Sequence, residues 1–155
     1  MADKKESTEL KEEILEINRI SRTVKGGRRL RFRVLLAMGD FNGRIGIGMA
    51  KGREVSEAIK KATVKARRHL ITVSLTPEKS LAQPISINSG SAQIILRPIK
   101  GGSDSIKAGS VIRTILHLAG IKAVSAKILG SNNKVNNARV LIEALAKLKS
   151  EESKN

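Results

Sequence analysis

Residues 14–38, ILEINRISRTVKGGRRLRFRVLLAM, leave the chain little choice of local structure. Two runs of strand-like alternation, 14–24 and 28–38, flank Gly26-Gly27, and paired glycines between such runs signal a β-hairpin. In the second run Leu30, Phe32 and Val34 share one parity while Arg29, Arg31 and Arg33 take the other. One face therefore suits a core and the other is basic. From Asn18 to Val34 stand seven cationic side chains and no carboxylate. Like charges facing each other across a hairpin repel, so folding alone does not favour this finger. It is built to touch something anionic.

The excess charge runs through the whole chain. Its 155 residues carry 30 Lys and Arg against 14 Asp and Glu, a formal net charge of +16. That is more than solubility requires and points to a polyanion; a cationic surface without such a partner is the plainer alternative. With 40% hydrophobic residues the chain can bury a core, in one domain or two small ones. Phe32 and Phe41 are the only aromatics, so no platform for stacking bases of a single strand can be built. Nucleic acid would be held through phosphates, sugars and shape. The longest apolar run, Val34–Met38, is far short of a membrane span. The N-terminal MADKKESTELKEE lacks the apolar segment of a secretory signal. With no cysteine there is no disulfide or thiolate metal site, and an intracellular protein with no membrane partner is expected.

Residues 1–13 read as a flexible N-terminus and 150–155 as a flexible tail. GDFNG (39–43) reads as a turn and RIGIGMAKG (44–52) as a third strand. A helix is predicted within 53–70, where Val55, Ala58, Ile59, Ala62 and Ala66 form one stripe. Lys60, Lys61, Lys65 and Arg68 cluster on its far side, a solvated face or an RNA contact. ITVSL (71–75) alternates as a strand, and TPEKSLAQP (76–84), with two of the three prolines, is the seam between two halves. Strands are then predicted over 85–88, 91–97 and 122–129, and helices over 109–119 and 135–148. Ser110 and Asn136 are the expected caps and Gly120 the expected helix stop. Ala138, Leu141, Ile142, Leu145 and Leu148 give the last helix its apolar stripe.

No catalytic constellation emerges. Gly46, Gly48 and Gly52 miss the dinucleotide fingerprint, and no P-loop Gly-Lys-Ser/Thr follows. Their plain reading is a strand that another backbone, or an RNA strand, approaches closely. KGGSDS (100–105) is a polar loop or a phosphate cradle of backbone amides. His69 and His117 lack a second ligand at metal spacing, and the carboxylates from Asp40 to Glu143 are scattered singly. Catalytic residues, metal and cofactor are all expected to be none.

NRISRTVKGGRR, GDFNGRIGIGMAKGREVSEAIKKA and KARRHLI resemble the N-terminal module of small-subunit ribosomal protein five. SGSAQIILRP, AGSVIRTILHLAGI and AKILGSNNKVNNARVLIEAL resemble its C-terminal domain. The resemblance runs in order from about residue 9 to 148 and is to the bacterial form, with an organellar copy as its variant. It implies an α+β protein: a double-stranded-RNA-binding-like domain of three strands and a helix (14–70), then a small α/β domain (71–149). The second would have a four-stranded sheet, opened by ITVSL, and two helices.

The resemblance further implies a non-enzymatic constituent of the small subunit in the cytoplasm, bound to 16S-type rRNA where head meets body. It would touch ribosomal proteins four and eight, support accurate decoding with protein four, and lie near protein three and the mRNA entrance. A free-standing double-stranded-RNA-binding regulator is the alternative; an enzyme would need affinity for ATP or GTP. Charge and resemblance together assign rRNA contact to Arg19, Arg22, Lys25, Gly26, Gly27, Arg28 and Arg29, and to Arg44, Lys51, Arg53, Lys61, Lys65 and Arg68. The resemblance puts the tip, Thr23, Val24, Lys25, Gly26 and Gly27, near the spectinomycin pocket. It makes Arg113 a partner-facing residue, toward protein four. GGSDSIKAGS departs from the family's Glu-Gly-Thr-Gly loop by one extra residue and by serines in place of glycines, which alters that contact.

Overall fold

The computed structural model describes residues 10–73, 75, 80–81, 83–99 and 105–152, with the side chains of Arg22 and of 149–152 set aside. β1 (Lys11–Val24) and β2 (Gly27–Gly39) form the long antiparallel hairpin, as the alternation predicts. β3 (Arg44–Gly52) pairs with β2, and α1 (Val55–Arg68) runs back along the sheet. β1 starts at Lys11, three residues before the expected Ile14, because backbone pairing continues to Lys11 opposite Gly39. Lys11, Glu12 and Glu13 have no apolar alternation to announce a strand; the ladder holds them. Residues 1–9 of the expected flexible segment lie outside the described residues. A β-bulge between Ile14 and Glu16 absorbs Leu15, which packs against the core.

The two faces of β2 change meaning along its length. Val34, Leu36 and Met38 pack with Ala50 and with Ala58, Ala62 and Ala66 of α1. Leu35 and Ala37 lie on the parity of Arg29, Arg31 and Arg33, yet they are buried in a core shared with the second half. The expected division into one core face and one basic face therefore fails along the strand. Both faces are buried from Val34 to Met38, and at the outer end Leu30 is exposed on the same face as Arg28. Val34–Met38 is an unbroken apolar run because a strand covered on both faces needs no alternation.

The glycines of β3 serve this packing. A methyl group at Gly52 would come 2.8 Å from the Ala58 backbone nitrogen, and one at Gly48 would collide with the Ala62 carbonyl oxygen. The backbone that approaches this strand is α1, whose alanine stripe fits the glycine side. Gly48→Ala should cost about 1–3 kcal/mol through overpacking. In a chain of this size that is a Tm lower by roughly 2–10 °C in a circular-dichroism melt. An unchanged Tm would mean the helix rides higher on the sheet than described.

β4 (Ile71–Thr72) pairs with β3 through Ile45↔Ile71 and Arg44↔Thr72, giving a first sheet ordered β1-β2-β3-β4. ITVSL thus closes the first sheet rather than opening the second, and the first sheet has a short fourth strand. Only His69 and Leu70 separate α1 from β4, so the chain returns to the nearest open edge, that of β3. The second sheet comprises β5 (Ile85–Ser89), β6 (Ala92–Pro98), β7 (Ile106–Lys107) and β8 (Val124–Leu129), ordered β5-β6-β8-β7. β7, parallel to β8, supplies the fourth strand; two residues are too few to show a period.

α2 (Ser110–Leu118) and α3 (Lys134–Glu152) pack between the sheets. Gly109, not Ser110, occupies the N-cap of α2. At α3 the Asn133 side chain accepts from the Val135 amide at 3.0 Å, so the capping side chain stands three residues before the expected Asn136. Gly120 does stop α2, at φ +87°. Across the seam Phe41 and Gly43 donate their amides to Leu118 and Ala119 carbonyls at 2.9 and 2.8 Å. Leu35, Ile45, Ile115, Leu116, Leu141 and Leu145 belong to one core, so the halves are fused rather than strung together.

Candidate nucleic-acid interface

β2 pairs with β3 only inward of Phe32, opposite Gly52. Beyond that point the hairpin is a two-stranded finger with Val24 opposite Gly27 at its end. Gly26 and Gly27 have φ of +101° and +148°, and the turn depends on them for that reason. Thr23, Lys25 and residues 26–31 are exposed and Val24 is half-buried.

Directly opposed residues share a face. Arg28 and Arg19 lie on the face that carries Leu30 and Phe32. Arg29, Arg31 and Arg33 lie on the other, with Lys51 opposite Arg33. The cations thus flank the finger on both sides instead of forming one patch. Arg29, Arg31, Ile20 and Lys51 line a small hollow of about 190 Å³, and Arg29, Arg31 and Arg53 a neighbouring one of about 400 Å³. The register sets Arg22 opposite Arg29, a like-charged pair by position; the Arg22 side chain lies outside the described residues. Arg31 and Arg33, outside the predicted contacts, share the finger's second face with Arg29, as their common parity in the sequence indicates.

The other predicted contacts do not all join the finger. Arg44 begins β3, eight residues from Gly52 and therefore about 26 Å along the strand from it. Lys65 and Arg68 sit on the last turns of α1, toward the Arg44 end of the sheet. Lys61 is engaged by Glu57 at 2.9 Å, one helical turn away. The Lys61 hydrogen bond and charge, with the Arg53 amide, hold the Glu57 carboxyl below its ordinary pKa. The structure therefore brings together Arg19, Lys25, Arg28, Arg29, Lys51 and Arg53, and sets Arg44, Lys65 and Arg68 apart.

Arg113 is exposed on α2. It lines a groove of about 840 Å³ with Glu13, Thr114, His117 and Lys122, and with Phe41. Phe41 meets His117 edge-on at 5.3 Å, with the Lys11 ammonium 5.9 Å from the Phe41 ring centre. Of the KGGSDS loop only Ser105 is among the described residues. Among the described residues no cluster of His, Asp or Glu could hold a metal, and no helix is long and apolar enough to cross a membrane.

A sheet-and-helix module that projects a cationic two-stranded finger, fused to a small α/β domain, defines a double-stranded-RNA-binding-like α+β protein. Comparison with known proteins makes the class specific. Residues 10–74 match the family Ribosomal protein S5, N-terminal domain, and residues 87–154 match Ribosomal protein S5, C-terminal domain. The first match includes β4, in keeping with its place in the first sheet. Small ribosomal subunit protein uS5c of Porphyra purpurea is 45% identical over 138 residues, 89% of this chain and 79% of that protein. Small ribosomal subunit protein uS5 of Gloeobacter violaceus is 45% identical over 142 residues, 92% of this chain and 63% of that protein. The uS5 of Nostoc punctiforme is 42% identical over 146 residues, 94% of this chain and 83% of that protein. The chain belongs to the ribosomal protein S5 family, in its bacterial type.

Proposed function

We propose that this protein is a structural, non-enzymatic constituent of the small ribosomal subunit that grips 16S-type rRNA with its finger. The observation that carries the reading is the finger beyond Phe32: exposed, cationic on both faces and, among the described residues, without a covering element. Its charge is relieved only against a polyanion that wraps it. Its family relatives are small-subunit proteins, which favours a site in the ribosome over a free-standing double-stranded-RNA regulator. Sedimentation through a high-salt gradient separates the two: a constituent stays with small subunits, a regulator stays at the top.

Within the subunit the protein stands where head meets body and touches proteins four and eight, with protein three and the mRNA entrance nearby. The Arg113 groove faces protein four and the finger tip lies near the spectinomycin pocket. Two strains test this division. Gly26→Asp puts a carboxylate beside phosphates at φ +101°, where an added Cβ meets no neighbouring atom and the strain is confined to the turn's own backbone. It should confer spectinomycin resistance while the domain stays folded. Arg113→Leu should leave the finger intact, loosen the contact with protein four and raise stop-codon readthrough without resistance. Identical phenotypes would sink the division, and wild-type accuracy in Arg113→Leu would remove the role given to that arginine.

A further inference from the structure

Away from the finger, a groove of about 470 Å³ runs between the two halves. Met49 of β3 and Ile142 of α3, both half-buried, form part of its apolar floor. Its rim carries two cations, Lys65 at the end of α1 and Arg139 on α3, with the His69 imidazole beside Lys65, all exposed. Glu143 is the lone carboxylate of the lining. It stands four residues after Arg139 on one helix, spacing that favours an ion pair, yet the two form none among the described residues. Donors and acceptor are both left for something else.

A bare phosphate backbone has no use for an apolar floor, and an apolar peptide has no use for two cations and an imidazole. A nucleotide uses all of it. Its phosphate takes charge-assisted hydrogen bonds from Lys65 and Arg139, and an ordinary N–H hydrogen bond from the His69 ring. Its base lies on the polarizable Met49 thioether and on Ile142. An exocyclic amino group of adenine, cytosine or guanine donates to Glu143. The volume suits one small ligand and no helix. The geometry points to a site for a single unstacked, amino-bearing RNA nucleotide, held between the halves. This rests on the RNA-binding reading above, and RNA is favoured over a free nucleotide because Lys65 shares its helix end with the exposed Arg67 and Arg68, which give a strand a cationic path onward.

The full chain, labelled at its methionine methyl groups, is titrated with AMP, UMP and inorganic phosphate and followed by NMR. Met49 reports on the groove, and the fully buried Met38 is the internal control. No Phe lines the groove, so a ring-current shift at Met49 comes from the added base. AMP should move Met49 saturably and leave Met38 unmoved, inorganic phosphate should move neither, and UMP should bind about fivefold more weakly. Arg139→Ala should weaken AMP about tenfold, with most of the affinity restored in Arg139→Lys. Saturating small-subunit rRNA should abolish the AMP response. An AMP response that persists on the rRNA-bound protein overturns the RNA assignment in favour of a free nucleotide. A Met49 resonance unmoved at about 20 mM AMP overturns the site itself. A chain that responds to AMP but binds no rRNA keeps the nucleotide site and sinks the ribosomal reading, so the two failures are told apart.

Discussion

The affinity of the purified protein for its rRNA site falls about a thousandfold or more between about 50 and 200 mM salt. That is the result expected if the finger neutralises roughly five to seven phosphates, each releasing condensed counterions. The cations are present in sufficient number: Arg19, Lys25, Arg28, Arg29, Arg31, Arg33, Lys51 and Arg53 all stand on or beside the finger, exposed or half-buried. Replacing Arg28 and Arg29 together by Ala should lower the slope of log affinity against log salt by about two. Neither side chain is buried, so the melting temperature should not change. The single variants ask a finer question, because the two residues lie on opposite faces. RNA wrapped around the finger gives each about half of the loss, whereas RNA along one face gives nearly all of it to one variant. A flat salt dependence would count against a phosphate-dominated interface altogether. Lys65 and Arg68, at the far end of α1, should each change the slope by less than a finger arginine if the finger is the principal contact.

Gly120→Val should be among the most destabilising single changes in the molecule, because two penalties meet at one position. Gly120 has φ +87°, where a β-branched residue is strained by about 1–3 kcal/mol. Its first side-chain atom would also run into the Phe41 carbonyl oxygen, at the seam where Phe41 and Gly43 bond to Leu118 and Ala119. Overpacking there adds about 1–3 kcal/mol. Together these lower the Tm by roughly 5–20 °C. Because one core spans both halves, the wild-type chain should melt in a single transition by far-ultraviolet circular dichroism and by calorimetry, with matching midpoints. A seam pried open at Gly120 should broaden or split it. A variant that melts at the wild-type temperature would show that the halves do not depend on this junction.

The hairpin, α1 and α3 were legible because each is a long element with one strong period. Alternation around two glycines, and stripes ending in Ala58-Ala62-Ala66 and Ala138-Leu141-Leu145, leave no competing geometry. β7 was not legible, since two residues carry no period, and the cap of α3 was misplaced because Asn133 and Asn136 present the same chemistry one turn apart. Among the candidate site residues, charge density marked the hairpin that projects as a two-stranded finger. It did not separate Arg28 and Arg29 from Arg44, which stands on the same strand system about 26 Å from the finger's base.

The sequence by itself determined the local periods, the apolar faces, the turns that glycine must occupy and a charge that demands a polyanion. It also determined the family, because long motifs in a fixed order carry that information. The tertiary structure alone decided which partner covers each apolar face. Val34 and Leu35 read alike as apolar, yet one meets α1 and the other the second half. Ile71 could extend either sheet by its pattern, and the short link after α1 delivers it to β3. Lys65 and His69 end α1 while Arg139 lies about seventy residues later on α3, and they become one groove only when the halves dock. A side-chain period reports what a surface is made of; what that surface faces is set by chain connectivity and by the fit of the packed elements.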